Sequence, residues 1–129
     1  MSEKLTRKWR YLLTIATIIV LAFQGADVAR LNIKVYQEIF GVGVHDQKID
    51  ISDNKIIILA GTKRIVALDS LSEEYGELVS ALDAALSTKY KNRIKEELEA
   101  LYNIKVIGLF GDYDPKAVMS CIVVCFEIK

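Results

Sequence analysis

Few residues of this 129-residue chain have the type and spacing that chemistry needs. The single histidine, His45, stands beside Asp46, just after the glycines Gly41 and Gly43. A histidine next to a carboxylate is half of a general base or half of a metal site. In a loop the same pair is also an ordinary solvated turn. Asp112 and Asp114 flank Tyr113 in "GDYDPKA", with Lys116 two residues on. Two carboxylates at that spacing suit a hard cation, but no distal Glu or further oxygen donors complete a calcium loop, and turn chemistry accounts for them equally well. The "GVG" at Gly41 to Gly43 is no nucleotide fingerprint, because a helix precedes it and the third glycine is missing. No Ser or Cys has an evident base partner, and one His leaves little for acid–base catalysis. These residues predict a non-enzymatic protein with no cofactor and no metal. They leave two candidate ligand loops, Gly41–Asp46 and Asp112–Lys116, which form one site only if both lie at the same end of a sheet.

Cys121 and Cys125 lie four apart in "SCIVVCFEI". On one strand they share a face, roughly 13 Å apart, which is beyond disulfide reach. They read as buried free thiols.

The charges balance, 17 basic against 17 acidic, so no strong field points at nucleic acid. The balance hides an asymmetry. Residues 1–30 carry five basic and two acidic residues, a net of +3, which leaves −3 for the remainder. The basic head leads into an apolar run from Tyr11 to Phe23, broken only by Thr14 and Thr17. Extended to Ala26, the run spans about 24 Å of helix, short of the ~30 Å hydrocarbon core. Three readings follow. Trp9 and Tyr11 fit an interfacial belt, and the flanking basic residues fit a signal anchor with the body outside. A cleaved signal fits less well, since "FQGAD" lacks small residues at the required spacing. A polar stripe of Glu3, Arg7, Arg10, Thr14, Thr17 and Gln24 fits a helix buried in a fold or an oligomer. Trp9, Tyr11, Leu12, Ile15, Ile18, Ile19 and Phe23 are the candidate membrane or partner contacts. The division is therefore 1–26, an apolar N-terminal helix, and 27–129, a globular body.

In the body, Val28, Leu31, Val35 and Ile39 keep helical spacing up to the Gly41–Gly43 stop. "QKIDIS" alternates as a half-buried strand, Asp53-Asn54 suits a two-residue hairpin turn with positive φ, and "KIIILA" returns as a more central strand. "IVALDSL" is ambiguous between a short strand and a loop. Ser70 with Glu73 suits a capping box ahead of a long helix. Its predicted apolar stripe is Tyr75, Leu78, Leu82, Leu86, Tyr90, Ile94, Leu98 and Leu101, with Arg93–Glu97 and Lys95–Glu99 pairs along its surface. The basic patch of Lys89, Lys91, Arg93 and Lys95 has no aromatic stacking surface with it, and so reads as a solvated face. "IKVIGLF" is a third strand, "GDYDPKA" a turn, and "VMSCIVVCFEI" a fourth strand, apolar enough to be buried on both faces. The order predicts a two-layer α+β domain with a mainly antiparallel four-stranded sheet, built from two hairpins joined by the long helix.

The runs "VYQEIFGVGVHDQKIDISDNKIIIL", "YGELVSALDAAL" and "LEALYNIKVIGLFGDYDPKAVMSCIVVCFEI" resemble the MpsC-like family over roughly Ala29 to Ile128. Gly41 and Gly43 fit that family's two turn glycines, although Val42 and Val44 stand where it carries Arg and Pro. The Leu-Thr-x-x-Glu segment that precedes the family's long helix is replaced here by "ALDSLSEEYG". "DYDPKA" fits the family's final hairpin turn. The resemblance implies a role in a sodium-translocating, membrane-potential-generating system. It also implies a body on the cytoplasmic side, against the charge rule. Together with the head segment it predicts an accessory protein whose N-terminal helix meets a membrane or a membrane protein. The alternatives are a small-ligand or cation-binding regulatory module and a homodimeric structural domain.

Overall fold

The helix that ends before Gly41 owes its place to one apolar stripe. Val28, Val35 and Tyr36 are buried, and Leu31, Ile39 and Phe40 pack beside them. A computed structural model describes residues 25–129 together with Arg7 and Arg10, and this helix, α1, occupies 25–40. The apolar run from Leu12 to Phe23, with Trp9 and Tyr11, lies outside the described residues. Gly41 closes α1 with φ +70°, and its N–H donates to the Gln37 carbonyl at 3.0 Å. That left-handed conformation suits glycine at a helix end.

Strands β1 (Val44–Ile51) and β2 (Lys55–Thr62) form the first hairpin. Helix α2 (Val66–Leu71) and the long helix α3 (Gly76–Leu101) follow. Strands β3 (Ile104–Asp114) and β4 (Met119–Ile128) form the second hairpin. The sheet order is β1-β2-β4-β3, and all three pairings are antiparallel. The domain is α+β, with the predicted hairpin–helix–hairpin order.

The inner face of the sheet carries the core. Cross-strand rows run Ile51–Ile56–Val124–Leu109 and Ile49–Ile58–Ile122–Gly111. Tyr90, Ile94 and Leu98 of α3 lie against them. α3 approaches most closely at Gly111, where a Cβ would collide with Ile122 Cδ1 and crowd Lys91. A buried polar network ties the layers together. Tyr90 Oη donates to Asn32 Oδ1, Asn32 Nδ2 donates to Gln47 Oε1 at 2.8 Å, and Gln47 Nε2 donates to the Ala29 carbonyl at 3.1 Å.

Several local expectations need correcting. "IVALDSL" is neither strand nor loop: it supplies helix α2. Ser70 makes no capping box; its hydroxyl donates to the Ala67 carbonyl, and α3 starts only at Gly76 with no side-chain cap. Of the predicted α3 stripe only Tyr90, Ile94 and Leu98 are buried, and Leu101 at its end is 48% exposed. Tyr75, Leu78 and Leu82 are exposed, while Val79 is buried. At 26 residues α3 is about 39 Å long, longer than the ~27 Å of β2, so its first turns overhang the sheet. Arg93 pairs with Glu97 as expected, and reaches Glu38 at 3.6 Å. Glu99 instead accepts the Val106 N–H at 3.2 Å. The hairpin turn sits at Asp53-Asn54, closed by Ser52 N–H to the Lys55 carbonyl at 2.9 Å, but neither central residue has positive φ. Among the described non-glycine residues that conformation falls to Asp46 (φ 51°) and Val118 (φ 52°).

β4 is not buried on both faces. Its alternate residues Cys121, Val123 and Cys125 lie half-exposed on the outer face, so the thiols are free but not fully buried. On that face the rows run Asp50–Ile57–Val123–Phe110 and Lys48–Leu59–Cys121–Asp112. Each is apolar at its centre, and Phe110 is 65% exposed.

Candidate functional site

Aromatic packing on the inner face builds one wall of a pocket. Tyr36 and Phe40 of α1 stack with ring centroids 4.4 Å apart, and Tyr90 of α3 meets Tyr36 edge-on at 5.6 Å. These rings, with Ile65, Leu68, Ala84 and Ile122, enclose a cavity of about 410 Å³. That size suits a small molecule. The opposite rim is polar, formed by Lys63, Arg64, Asp83, Ser87, Asp112, Tyr113 and Ser120.

Arg64 is the central charge. It lies two residues beyond β2, whose last residue, Thr62, is fully buried. Its Nε lies 3.2 Å from Asp69 Oδ1 of α2 and its Nη2 3.5 Å from Asp83 Oδ2 of α3. Its guanidinium carbon lies 5.9 Å from the centroid of the Tyr113 ring, within cation–π range. Burial alone would lower the Arg64 pKa, but Asp83, Tyr113 and Asp69 outweigh it and the net direction is up. Neither carboxylate grips the guanidinium as a bidentate fork, the geometry that gives such pairs their strength.

Tyr113 Oη is buried with no hydrogen-bond partner, while Thr62 Oγ1 lies beside the Tyr36 hydroxyl and Arg64 Nε meets Asp69 as an ion pair. An unsatisfied buried polar group costs about 1–3 kcal/mol. Tyr36 belongs to the same cluster. Its pKa is raised, chiefly by burial, with Thr62 and Arg64 pulling it down and Tyr113 and Asp83 pushing it up. The Tyr90 pKa is also raised, by burial and then by the neighbouring Tyr36.

The two candidate loops do lie at one end of the sheet. Val44 pairs with Thr62, Gly61 with Met119, and Met119 with Asp114. They occupy opposite edges, however, about three strand spacings or ~14 Å apart. His45 lies over Gly61 on the outer face and makes a 2.9 Å contact from Nδ1 to Asp46 Oδ2, both side chains exposed. Gly41 and Gly43 are a helix stop and a loop residue. Asp112 Oδ1 accepts its neighbour's Tyr113 N–H at 2.8 Å, and Asp114 Oδ1 accepts Lys116 N–H at 2.9 Å and Ala117 N–H at 3.3 Å. Asp112 alone of the seven candidates lines the pocket. Both aspartates belong to β3 and not to a loop, and only Pro115 to Val118 form the turn. Among the described residues no group of three or more His, Cys, Asp or Glu is placed to hold a metal.

Sequence reasoning missed Arg64, Asp83, Tyr36 and Tyr113 as a group. They come from four separate elements or connections, so no local spacing relates them. The conspicuous signal was "TKR", two cations at the exit of the most apolar hairpin strand.

Fold and pocket together define a small two-layer α+β domain with a mixed-charge, aromatic-walled cavity at one end of its sheet. The family model for the Na+-translocating membrane potential-generating system (MpsC) matches residues 26–128, and the chain belongs to that family. Comparison with curated proteins and with solved structures returns no match. Among the described residues no helix is long and apolar enough to cross a membrane.

Proposed function

We propose that the chain is a non-enzymatic accessory subunit of the Na+-translocating, membrane-potential-generating system, acting by docking on a membrane-embedded partner. The observation that carries this reading is the outer face of the sheet, on which no helix among the described residues packs. Ile57, Leu59, Phe110, Cys121 and Val123 form a continuous apolar strip across three strands, bordered by Lys48 and Asp50 on β1 and Asp112 on β3. A flat apolar patch with a charged rim is the usual form of a protein-contact surface. Family membership is consistent with a partner in that membrane system. The head segment around Trp9, Tyr11 and Leu12–Phe23 provides a second, membrane-side contact, with the body on the cytoplasmic side.

The test is membrane sedimentation of the full chain in cells with and without the membrane components of the system. Wild type should sediment more with the partner present than without it, and Phe110→Asp should lose that increment while keeping whatever sedimentation the head segment gives. Phe110 is exposed enough for that change to leave the fold intact. Equal sedimentation without the partner would overturn partner docking. A stable dimer in solution that Phe110→Asp dissolves would assign the face to a second copy instead. The mixed-charge pocket favours a second role, as a small-ligand-binding regulatory module.

A further inference from the structure

Every charged group of the pocket has an opposite. Lys63 and Arg64 supply two positive charges, and Asp83 and Asp69, both facing Arg64, two negative ones. A dianion such as phosphate gains little from a site already neutral overall, and a bare cation meets Arg64 and Lys63 first. A ligand carrying both signs leaves the balance undisturbed. Its anionic end finds an incompletely engaged guanidinium, whose two contacts at 3.2 and 3.5 Å leave the bidentate fork open. Beside it, the unsatisfied hydroxyl of Tyr113 is a further donor. Its cationic end finds Asp83, whose side chain is 45% exposed and bonded only at the long limit. The remaining surface is apolar and aromatic: Tyr36, Phe40, Tyr90, Ile65 and Leu68. A cavity of about 410 Å³ takes ~10–15 heavy atoms with room to spare.

We infer that this pocket binds a small zwitterion with an apolar side chain, of the α-amino-acid class. Its carboxylate lies on Arg64 and Tyr113, its ammonium on Asp83, and its side chain on the Tyr36–Phe40–Tyr90 wall. The inference rests on reading the pocket as a ligand-binding regulatory site. It is independent of docking through the outer face, because Phe110 lies across the sheet from it.

Nuclear magnetic resonance titration of the full chain tests it, with three probes: L-phenylalanine, 3-phenylpropionate lacking the ammonium, and phenethylamine lacking the carboxylate. L-phenylalanine should shift the amides of Ser87, Gly111 and Tyr113 saturably. Each analogue should bind at least about tenfold more weakly, the ratio set by one unpaired charge of roughly 1.4 kcal/mol. Arg64→Gln and Asp83→Asn should each weaken L-phenylalanine by a similar factor; Asp83→Asn is nearly isosteric and half-exposed, so it keeps the test open if Arg64→Gln fails to fold. Equal or tighter binding of either analogue would overturn the zwitterion and leave the ligand-site reading standing. Silence of all three probes at these amides would overturn both. Wild-type affinity in a folded Arg64→Gln or Asp83→Asn variant would overturn the assigned anchors.

Discussion

Replacing Tyr90 with Phe removes one oxygen from the middle of the molecule, and its cost can be worked out from the contacts. Tyr90 is 5% exposed and its hydroxyl donates to Asn32 Oδ1, on a residue 1% exposed. No cavity of consequence is left, because the ring stays. The loss is one buried hydrogen bond and an acceptor stranded out of water, about 2 kcal/mol in all. For a chain of this length that corresponds to a fall in Tm of roughly 6–8 °C. Urea denaturation should show the lower midpoint with an unchanged slope, since the surface exposed on unfolding is the same. The Asn32→Ala and Tyr90→Phe pair should couple by about 1 kcal/mol in a double-mutant cycle. A Tyr90→Phe loss below about 0.5 kcal/mol, or independent effects in the cycle, would refute the network as a tie between α1, β1 and α3.

Alkaline pH should weaken the fold for a related reason. The pKa values of Tyr36, Tyr90 and Tyr102 are all raised above the ordinary tyrosine value of 10.0, with burial the largest cause in each. Above pH 10 the unfolded chain releases those protons and the folded chain retains them, so stability should be level below that pH and fall as pH rises. Each tyrosine adds up to about 1.4 kcal/mol per pH unit, and Tyr90→Phe should flatten the slope measured by denaturant titration. Leu98→Ala, at a fully buried position on α3, should cost about 3 kcal/mol in the same assay. Val118→Gly should stabilise by about 0.5–1 kcal/mol, because a β-branched residue at φ 52° is strained and Val118 is 37% exposed, so little packing is lost. Mild oxidation should leave Cys121 and Cys125 unbridged within one chain, with intact mass showing no loss of two hydrogens, because they sit four residues apart on β4.

Much of this architecture is legible in local patterns. Alternation in "KIDI" yields β1, the apolar run "KIIILA" yields β2 as a more central strand, the three–four spacing yields the buried part of α3, and the Gly41 stop is visible because few other residues take φ +70° cheaply. The same periodicity over-reads the start of α3, since Leu78 and Leu82 repeat correctly but have no sheet beneath them. A pattern says which residues share a face, not whether anything covers it. "IVALDSL" is too short for its period to separate helix from strand, and only its packing on α3 decides the matter. For β4 the composition suggests two buried faces. Among the described residues the helices pack on one side of the sheet, and Cys121, Val123 and Cys125 stay half-exposed.

By itself the sequence determined the hairpin–long helix–hairpin order, the α+β class and the family resemblance. The tertiary structure alone decided the strand order β1-β2-β4-β3, the apolar strip on the outer face and the pocket. Strand order follows from which hairpins pair, a long-range choice that no local propensity encodes. The pocket joins Tyr36, Arg64, Asp83 and Tyr113 across 77 residues of chain, and only the fold sets the distances that give those four side chains a common chemistry.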